Sequence, residues 1–161
     1  MSGIQRRQFL AAGTSVVGIA MAGCLDGSAE ASEAAQFDSA TVYLEPNCSC
    51  CGVHSDYLES ADADITIQER SNDALSTLKT ELGIPSDLWS CHTTEIDAGY
   101  FIEGHVPVEI INEVLEREPD VTTIALPGMP SGSPGMPGSK DDEWVFYGIS
   151  ANGDVSEFTR K

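Results

Sequence analysis

Three of the five cysteines in this 161-residue chain lie within four consecutive positions. They form the segment Cys48-Ser49-Cys50-Cys51, which is followed by Gly52 and, two residues later, by His54. An apolar run at 41–44 precedes the segment and a helical pattern follows it, which predicts a turn between a strand and a helix. The free backbone N–H groups and the dipole at the start of a helix favour thiolates over thiols. Thiolates so close together are typical of a soft-metal site or a redox centre.

The elements that must position this segment follow from hydrophobic periodicity. The predicted order is strand, helix, strand, helix, two strands, helix and a final hairpin. Strands are predicted at 41–44, 64–69, 93–96, 100–103, 144–149 and 155–158, and helices at 52–61, 71–82 and 107–117. The alternation at 64–69 predicts a half-buried strand. This order predicts an α/β fold, namely a thioredoxin-like mixed sheet with flanking helices plus a C-terminal β-hairpin. A Cys-x-x-Cys motif after the first strand, here Cys48 to Cys51, is usual in that fold.

The same topology assigns a place to the next cysteine. In a thioredoxin-like sheet the loop before the third strand faces the cysteine turn, and here that loop carries Cys91 and His92. Cys91 is therefore a predicted ligand or redox partner of the turn. His92, His105 and His54 are further candidate metal ligands. Their ordinary alternatives are a surface-facing strand residue, a cap or turn residue and a solvated helical residue, respectively.

Two methionines lie in a loop that is dense in glycine and proline. Met129 and Met136 belong to two Pro-Gly-Met-Pro units within residues 126–138, a composition that excludes a helix or an inner strand. Thioethers bind Cu(I) well and hard ions poorly, so both methionines are candidate copper ligands. The alternative is that they anchor the loop by filling irregular gaps.

Residues 1–24 have the anatomy of an export signal. Arg6-Arg7 precede an apolar stretch as in a twin-arginine signal, and the residues before Cys24 are similar to a lipobox. The alternative is a membrane anchor, but the apolar run at 9–22 is short for a span of roughly 20 residues. We expect cleavage before Cys24, a lipid on that cysteine and a location on the outer face of the cytoplasmic membrane. The composition of residues 25–38 predicts a flexible tether. The pattern of residues 39–161 predicts a thioredoxin-like metal-binding domain.

The chain is strongly acidic, with a formal net charge of −18 and only three lysines. Removal of the two positive charges of Arg6 and Arg7 takes the net charge from −18 to −20. A chain without a basic face cannot neutralise phosphates, which argues against a nucleic-acid partner. Dispersed acidic residues are typical of proteins from high-salt habitats, so we interpret the charge as halophilic adaptation.

With Cys24 lipidated, four thiols remain and several functions stay open. Four cysteines in an oxidising compartment often form two structural disulfides, although the adjacent Cys50 and Cys51 make such pairing awkward. A thiol–disulfide oxidoreductase would need only Cys48 and Cys51. A structural zinc site would use four thiolates in a closed tetrahedral arrangement.

Five ordered blocks of the chain resemble the CopG-type copper-resistance family, exported proteins formerly described as a domain of unknown function. The resemblance covers roughly residues 40–150. The blocks are Cys48-Ser49-Cys50-Cys51-Gly52, Ser90-Cys91-His92-Thr93, Gly99-Tyr100, Glu103-Gly104-His105-Val106-Pro107 and the loop from Leu126 to Met136.

The resemblance implies a thioredoxin-like fold and a copper cluster held by the cysteine turn and a distant cysteine. By position, these ligands are Cys48, Cys50, Cys51 and Cys91. Because bridging sulfur lets few ligands hold several soft ions, we expect a multinuclear, thiolate-bridged Cu(I) site for copper sequestration, handling or resistance. Another extracytoplasmic copper protein is an expected partner. Copper redox chemistry and thiol–disulfide exchange are the activities that the sequence leaves open.

Overall fold

The computed structural model describes residues 30–161. The predicted export signal, with Arg6, Arg7 and Cys24, lies outside the described residues. The described range contains seven strands and three α-helices. The strands are β1 (Ser39–Leu44), β2 (Asp64–Glu69), β3 (His92–Ile96), β4 (Phe101–Glu103), β5 (Thr123–Ala125), β6 (Val145–Ile149) and β7 (Val155–Arg160), and the helices are α1 (Ser49–Glu59), α2 (Asn72–Glu81) and α3 (Val108–Arg117). No helix within residues 30–161 is long and apolar enough to cross a membrane.

The seven strands form one mixed sheet in the order β2-β1-β3-β4-β5-β6-β7. The pairs β1/β2 and β4/β5 are parallel, and the other four neighbouring pairs are antiparallel. The last two strands are the predicted C-terminal hairpin, which extends the sheet beyond β5. The predicted α/β class and thioredoxin-like sheet are thus confirmed.

Apolar side chains cover both faces of the sheet. On one face, α1 and α3 pack in a large core that includes Leu58, Ile110 and Ile124. A smaller cluster with Ala125 and Ile149 packs against the segment that follows α2. Since neighbouring residues of a strand point to opposite faces, Ile124 and Ala125 of β5 assign the two clusters to opposite sides of the sheet.

Four connections meet at one end of the sheet. Leu44 ends β1 and pairs with His92, which begins the antiparallel β3. Glu103 ends β4, and its neighbour Ala125 ends the parallel β5. Four segments therefore lie at the same end of the strands: the cysteine turn, the residues before β3, the residues after β4 and the methionine loop. The pairing register of the strands brings their chemically active residues together.

Three local features differ from the sequence prediction. Helix α1 begins at Ser49 and not at Gly52, so Cys50 and Cys51 lie in its first turn. Strand β5 was not predicted, because three residues are too few for a recognisable period. Strand β2 is an exposed edge and not a half-buried strand, with Ile67 50 % exposed.

The described part of the predicted tether lies against the domain. Residues 30–38 contain no helix or strand, but Phe37 is buried in the main core. The Ala35 N–H donates to the Ala61 carbonyl at 2.8 Å, and the Gln36 N–H donates to the Asn112 side chain at 2.9 Å. The folded unit therefore includes residues that composition alone assigned to a linker.

Candidate metal centre

The cysteine turn is built on the start of α1. Cys48 is the N-cap residue, in an extended conformation with φ of −72°, and its side chain makes no capping hydrogen bond. Its sulfur is therefore not used to cap the helix. Cys51 is fully buried, whereas Cys48 and Cys50 are half-buried. Negative charge on these sulfurs would face the positive end of the α1 dipole, as the sequence predicted.

The structure brings all four predicted cysteine ligands together. Their sulfur atoms lie within 4.8 Å of one another. Cys50 Sγ is 3.6 Å from Cys48 Sγ and 3.8 Å from Cys91 Sγ. Cys48 and Cys51 are joined by a disulfide, and Cys50 and Cys91 are free thiols. Metal binding by all four sulfurs therefore requires reduction of the Cys48–Cys51 disulfide, and the two-disulfide alternative is not the pairing observed.

Cys91 lies in a different electrostatic setting from the turn. Burial raises the pKa of its thiol to about 12, and the charge of the neighbouring Cys50 acts in the same direction. Cys91 itself directly precedes strand β3 and does not belong to the first turn of a helix. A metal cation deprotonates a coordinating thiol, so metal binding would convert Cys91 to a thiolate.

All three histidines lie in one buried cluster next to Cys91. Cys91 Sγ is 3.3 Å from His92 Nδ1 and 3.0 Å from His105 Nε2. His92 Nε2 is 3.0 Å from His54 Nδ1. All three side chains are fully buried, and burial is the largest cause that lowers the pKa of each. The ordinary alternatives of a surface-facing His92 and a solvated His54 are wrong.

The methionine loop covers the cysteine turn. The Pro134 carbonyl accepts a hydrogen bond from His105 Nδ1 at 2.7 Å. Gly135 has φ of +81°, and a Cβ there would lie 2.8 Å from the Cys50 carbonyl oxygen. Met136, next along the chain, is half-buried, whereas Met129 is 38 % exposed. The loop packs on the site, and Met136 is the methionine in the more enclosed position.

A buried ion pair that was not predicted holds the Cys91 segment. Lys79 Nζ contacts the Glu103 carboxylate and donates to the Ser90 carbonyl at 2.8 Å. The same carboxylate accepts from the Ser90 N–H at 2.5 Å and from the Thr93 hydroxyl at 2.7 Å. The pair thus holds the backbone of Ser90 before Cys91 and the side chain of Thr93 after it. Lys79 lies four residues after the buried Leu75, and this position on the apolar face of α2 was the available signal.

A thioredoxin-like sheet with thiols and imidazoles gathered at one end defines a class of metal-binding α/β protein. The family model described as "Protein of unknown function, DUF411" matches residues 88–136, which include Cys91, the Glu103-Gly104-His105 block and both loop methionines. A comparison with curated proteins gave no match.

Two solved structures are similar to this chain. "Copper resistance protein copG- Form 1" is 35 % identical over 78 % of this chain and 98 % of that chain, with a TM-score of 0.69. "Copper resistance protein copG- Form 2" is 37 % identical over 76 % and 97 %, with a TM-score of 0.67. The chain belongs to the CopG-type copper-resistance family.

Proposed function

We propose that this protein binds Cu(I) through the thiolates of Cys48, Cys50, Cys51 and Cys91 and sequesters or hands on copper outside the cytoplasm. The observation that carries the proposal is the approach of four sulfur atoms to within 4.8 Å in a member of a copper-resistance family. Thiolates are soft ligands that favour Cu(I). Sulfur bridging would allow this set to hold more than one copper ion.

The test is a Cu(I) titration of the reduced, anaerobic full-length protein against a competing chelator. We expect more than one tightly bound Cu(I) per chain in the wild type. The Cys50→Ser and Cys91→Ser variants should each lose tight binding, since each removes one corner of the sulfur group. Cys24→Ser is the matched control, because it removes a cysteine outside the proposed site. Tight binding that survives both site substitutions would contradict the proposal.

The Cys48–Cys51 disulfide supports a second candidate, a thiol–disulfide oxidoreductase. The disulfide joins the N-cap of α1 to its first turn, where a thiolate leaving group would be stabilised. Cys50→Ser separates the two candidates. An exchange enzyme should keep its reductase activity in this variant, measured with a disulfide substrate and a thiol reductant, whereas a copper site should lose its affinity. A structural zinc site would instead show stoichiometric zinc that resists removal without unfolding.

The expected location is part of the same proposal. Export through the signal at 1–24 and lipid attachment at Cys24 would place the domain on the outer face of the cytoplasmic membrane, where another copper protein could exchange metal with it. Cell fractionation and mass spectrometry of the mature N-terminus test this. Cys24→Ser should release the protein from the membrane fraction, whereas an uncleaved chain would overturn the lipid anchor.

A further inference from the structure

Strand β2 forms a free edge of the sheet. It ends the strand order, and within residues 30–161 it pairs only with β1. Five of its six residues are exposed, and the Ile67 side chain is 50 % exposed. A single exposed isoleucine is ordinary, but this one lies on a row of unpaired backbone groups, which is a template for another strand.

The backbone of β2 presents every second residue to solvent. The Asp64 N–H donates to the Asp38 carbonyl at 3.0 Å, and the Arg70 N–H donates to the Leu44 carbonyl at 2.8 Å. Successive residues of a strand direct their N–H and C=O groups to alternate sides, so the even-numbered residues from 64 to 70 bond toward β1. The backbone groups of the odd-numbered residues therefore point away from the sheet, at the spacing that another strand requires.

The two edges of the sheet differ in how they are protected against such pairing. β7, at the other edge, has an irregular register with β6, and its Arg160 forms ion pairs with Glu143 and Glu157. Proteins usually block an exposed edge with a bulge, a proline or a lysine. β2 pairs with β1 in a continuous register and contains no proline and no lysine. Its sequence is therefore that of an edge that can accept a strand.

The residues on either side of Ile67 are complementary to the same strand in the opposite direction. In an antiparallel pair of β2 strands centred on Ile67, that residue lies opposite its own copy, and Asp64 lies opposite Arg70 of the second copy. This register satisfies the backbone, because outward-facing residues oppose each other at Ile67 and residues that bond toward β1 oppose each other at Asp64 and Arg70. Moving the second strand by two residues in either direction separates both Asp64–Arg70 pairs.

We propose that β2 is a dimerisation edge, at which a second copy of this chain pairs antiparallel with the first about a two-fold axis at Ile67. Opposite charges at directly opposed positions stabilise strand pairing, and here one strand carries both members of the pair. The two Ile67 side chains would meet on the face that carries α1, since Ile65 on the same face packs against the main core. Such an interface is isologous, so it closes at two chains.

The acidic surface determines the conditions for this pairing. Two chains with a net charge of −18 each repel one another at low salt. At about 1 M salt the Debye length is about 3 Å, which screens this repulsion more than the attraction between side chains in contact. The inference does not rest on the proposed Cu(I) function, because β2 contains none of the proposed ligands. Failure of the Cu(I) titration would leave the dimer unaffected.

The first test is a cross-link in the full chain with Cys24→Ser at about 1 M salt. Ile67→Cys would place two thiols opposite each other with Cα atoms about 5.5 Å apart, within the range of about 4.4–6.8 Å that a disulfide spans. Glu69→Cys is the matched control on the same face, because its two copies would lie four residues apart along the pair, about 13 Å. Mild oxidation should give a covalent dimer with Ile67→Cys and about tenfold less with Glu69→Cys.

The second test is the mass of the Cys24→Ser chain by sedimentation equilibrium in the same salt. We expect a dimer, and Arg70→Glu should weaken it about tenfold or more, because it places like charges opposite each other twice. Asp64→Lys should weaken the dimer as well, whereas Asp64→Lys with Arg70→Glu reverses the pair and should restore it. Arg117→Glu is the control for added negative charge, because Arg117 lies over Phe158 of β7, at the other edge of the sheet.

Three outcomes would overturn the inference. One is a wild-type chain that stays monomeric at micromolar concentration. Another is a dimer that neither Arg70→Glu nor Ile67→Lys weakens, which would place the interface elsewhere. Ile67→Lys serves here as a second variant, because the exposed Ile67 side chain tolerates a change without loss of the core. The third is a monomer that binds a different protein through β2, which would replace the second copy as the occupant of this edge.

Discussion

The buried pair of Lys79 and Glu103 offers the sharpest test of how the site is positioned. Only 2 % of the Lys79 side chain and none of the Glu103 side chain is exposed. Lys79→Met keeps an unbranched apolar stem and removes the positive charge. The Glu103 carboxylate would keep its hydrogen bonds from Ser90 and Thr93 but would have no cation beside it.

Removal of one member of a buried ion pair costs about 3–5 kcal/mol, because the remaining charge is uncompensated. A domain of this size has a total stability of about 5–15 kcal/mol, so Lys79→Met should remove a large part of it. Adding Glu103→Gln removes the second charge while the amide oxygen still accepts from Ser90. The double variant should therefore be more stable than the sum of the single effects predicts, by about 0.5–3 kcal/mol.

Urea unfolding followed by tryptophan fluorescence measures these differences. Arg117→Met is the control, because Arg117 pairs with Glu113 at the surface, where such a pair contributes about 1 kcal/mol or less. Burial raises the pKa of Glu103, while Lys79 opposes the rise. If Lys79→Met costs less than about 1 kcal/mol, Glu103 is protonated in the folded protein and the argument from a buried charge fails.

Three further predictions concern the surroundings of the site. Burial, aided by the charge of His105, lowers the pKa of His54 from 6.5 to about 3. The unfolded chain then binds more protons at acid pH, so His54 alone should reduce the stability of the metal-free protein by about 1.4 kcal/mol per pH unit from 6.5 down to 3. Urea titrations across this window should show a shallower slope for His54→Asn. Gly128→Ala should cost about 1–2 kcal/mol for its left-handed backbone alone. Gly135→Ala should cost about 1–3 kcal/mol more, because its Cβ also collides with the cysteine turn. Equal losses of stability in Gly128→Ala and Gly135→Ala would show that the loop moves away and relieves the collision. Tyr57→Phe should cost about 1–3 kcal/mol in the same assay, because it leaves the Val108 N–H at the start of α3 without its acceptor, and no loss would mean that water replaces the hydroxyl.

The convergence of the four cysteines was predictable because it depends on topology. A period of two along β1 and β3 and a helical period in α1 are visible in the sequence, and together they place the cysteine turn beside Cys91. The pairing of Leu44 with His92 realises that placement. No detail of side-chain packing is needed for this part of the site.

The histidine cluster was harder to predict from the sequence, because the burial of a side chain depends on what covers each face of the sheet. Neighbouring residues of a strand point to opposite faces of the sheet, so the sequence allowed a His92 side chain that faces solvent. Strand β3 is central, however, and both of its faces are covered, so His92 is buried like Thr93. His54 is likewise enclosed, since a Cβ on Gly135 of the methionine loop would lie 2.9 Å from its backbone nitrogen. His54 and Gly135 are 81 residues apart (135 − 54), and a contact at that separation leaves no local pattern in the sequence.

Cys91 is the one proposed copper ligand that lies outside the cysteine turn. Its thiol has a pKa of about 12, and the nearby buried cation, Lys79, is already paired with Glu103. A bound cation would supply the positive charge that favours the Cys91 thiolate. Because Cys91 closes the four-sulfur group from a different part of the chain, Cys91→Ser should abolish tight Cu(I) binding, whereas Cys24→Ser should leave it unchanged. Tight Cu(I) binding that survives Cys91→Ser would mean that the cysteine turn alone holds the metal.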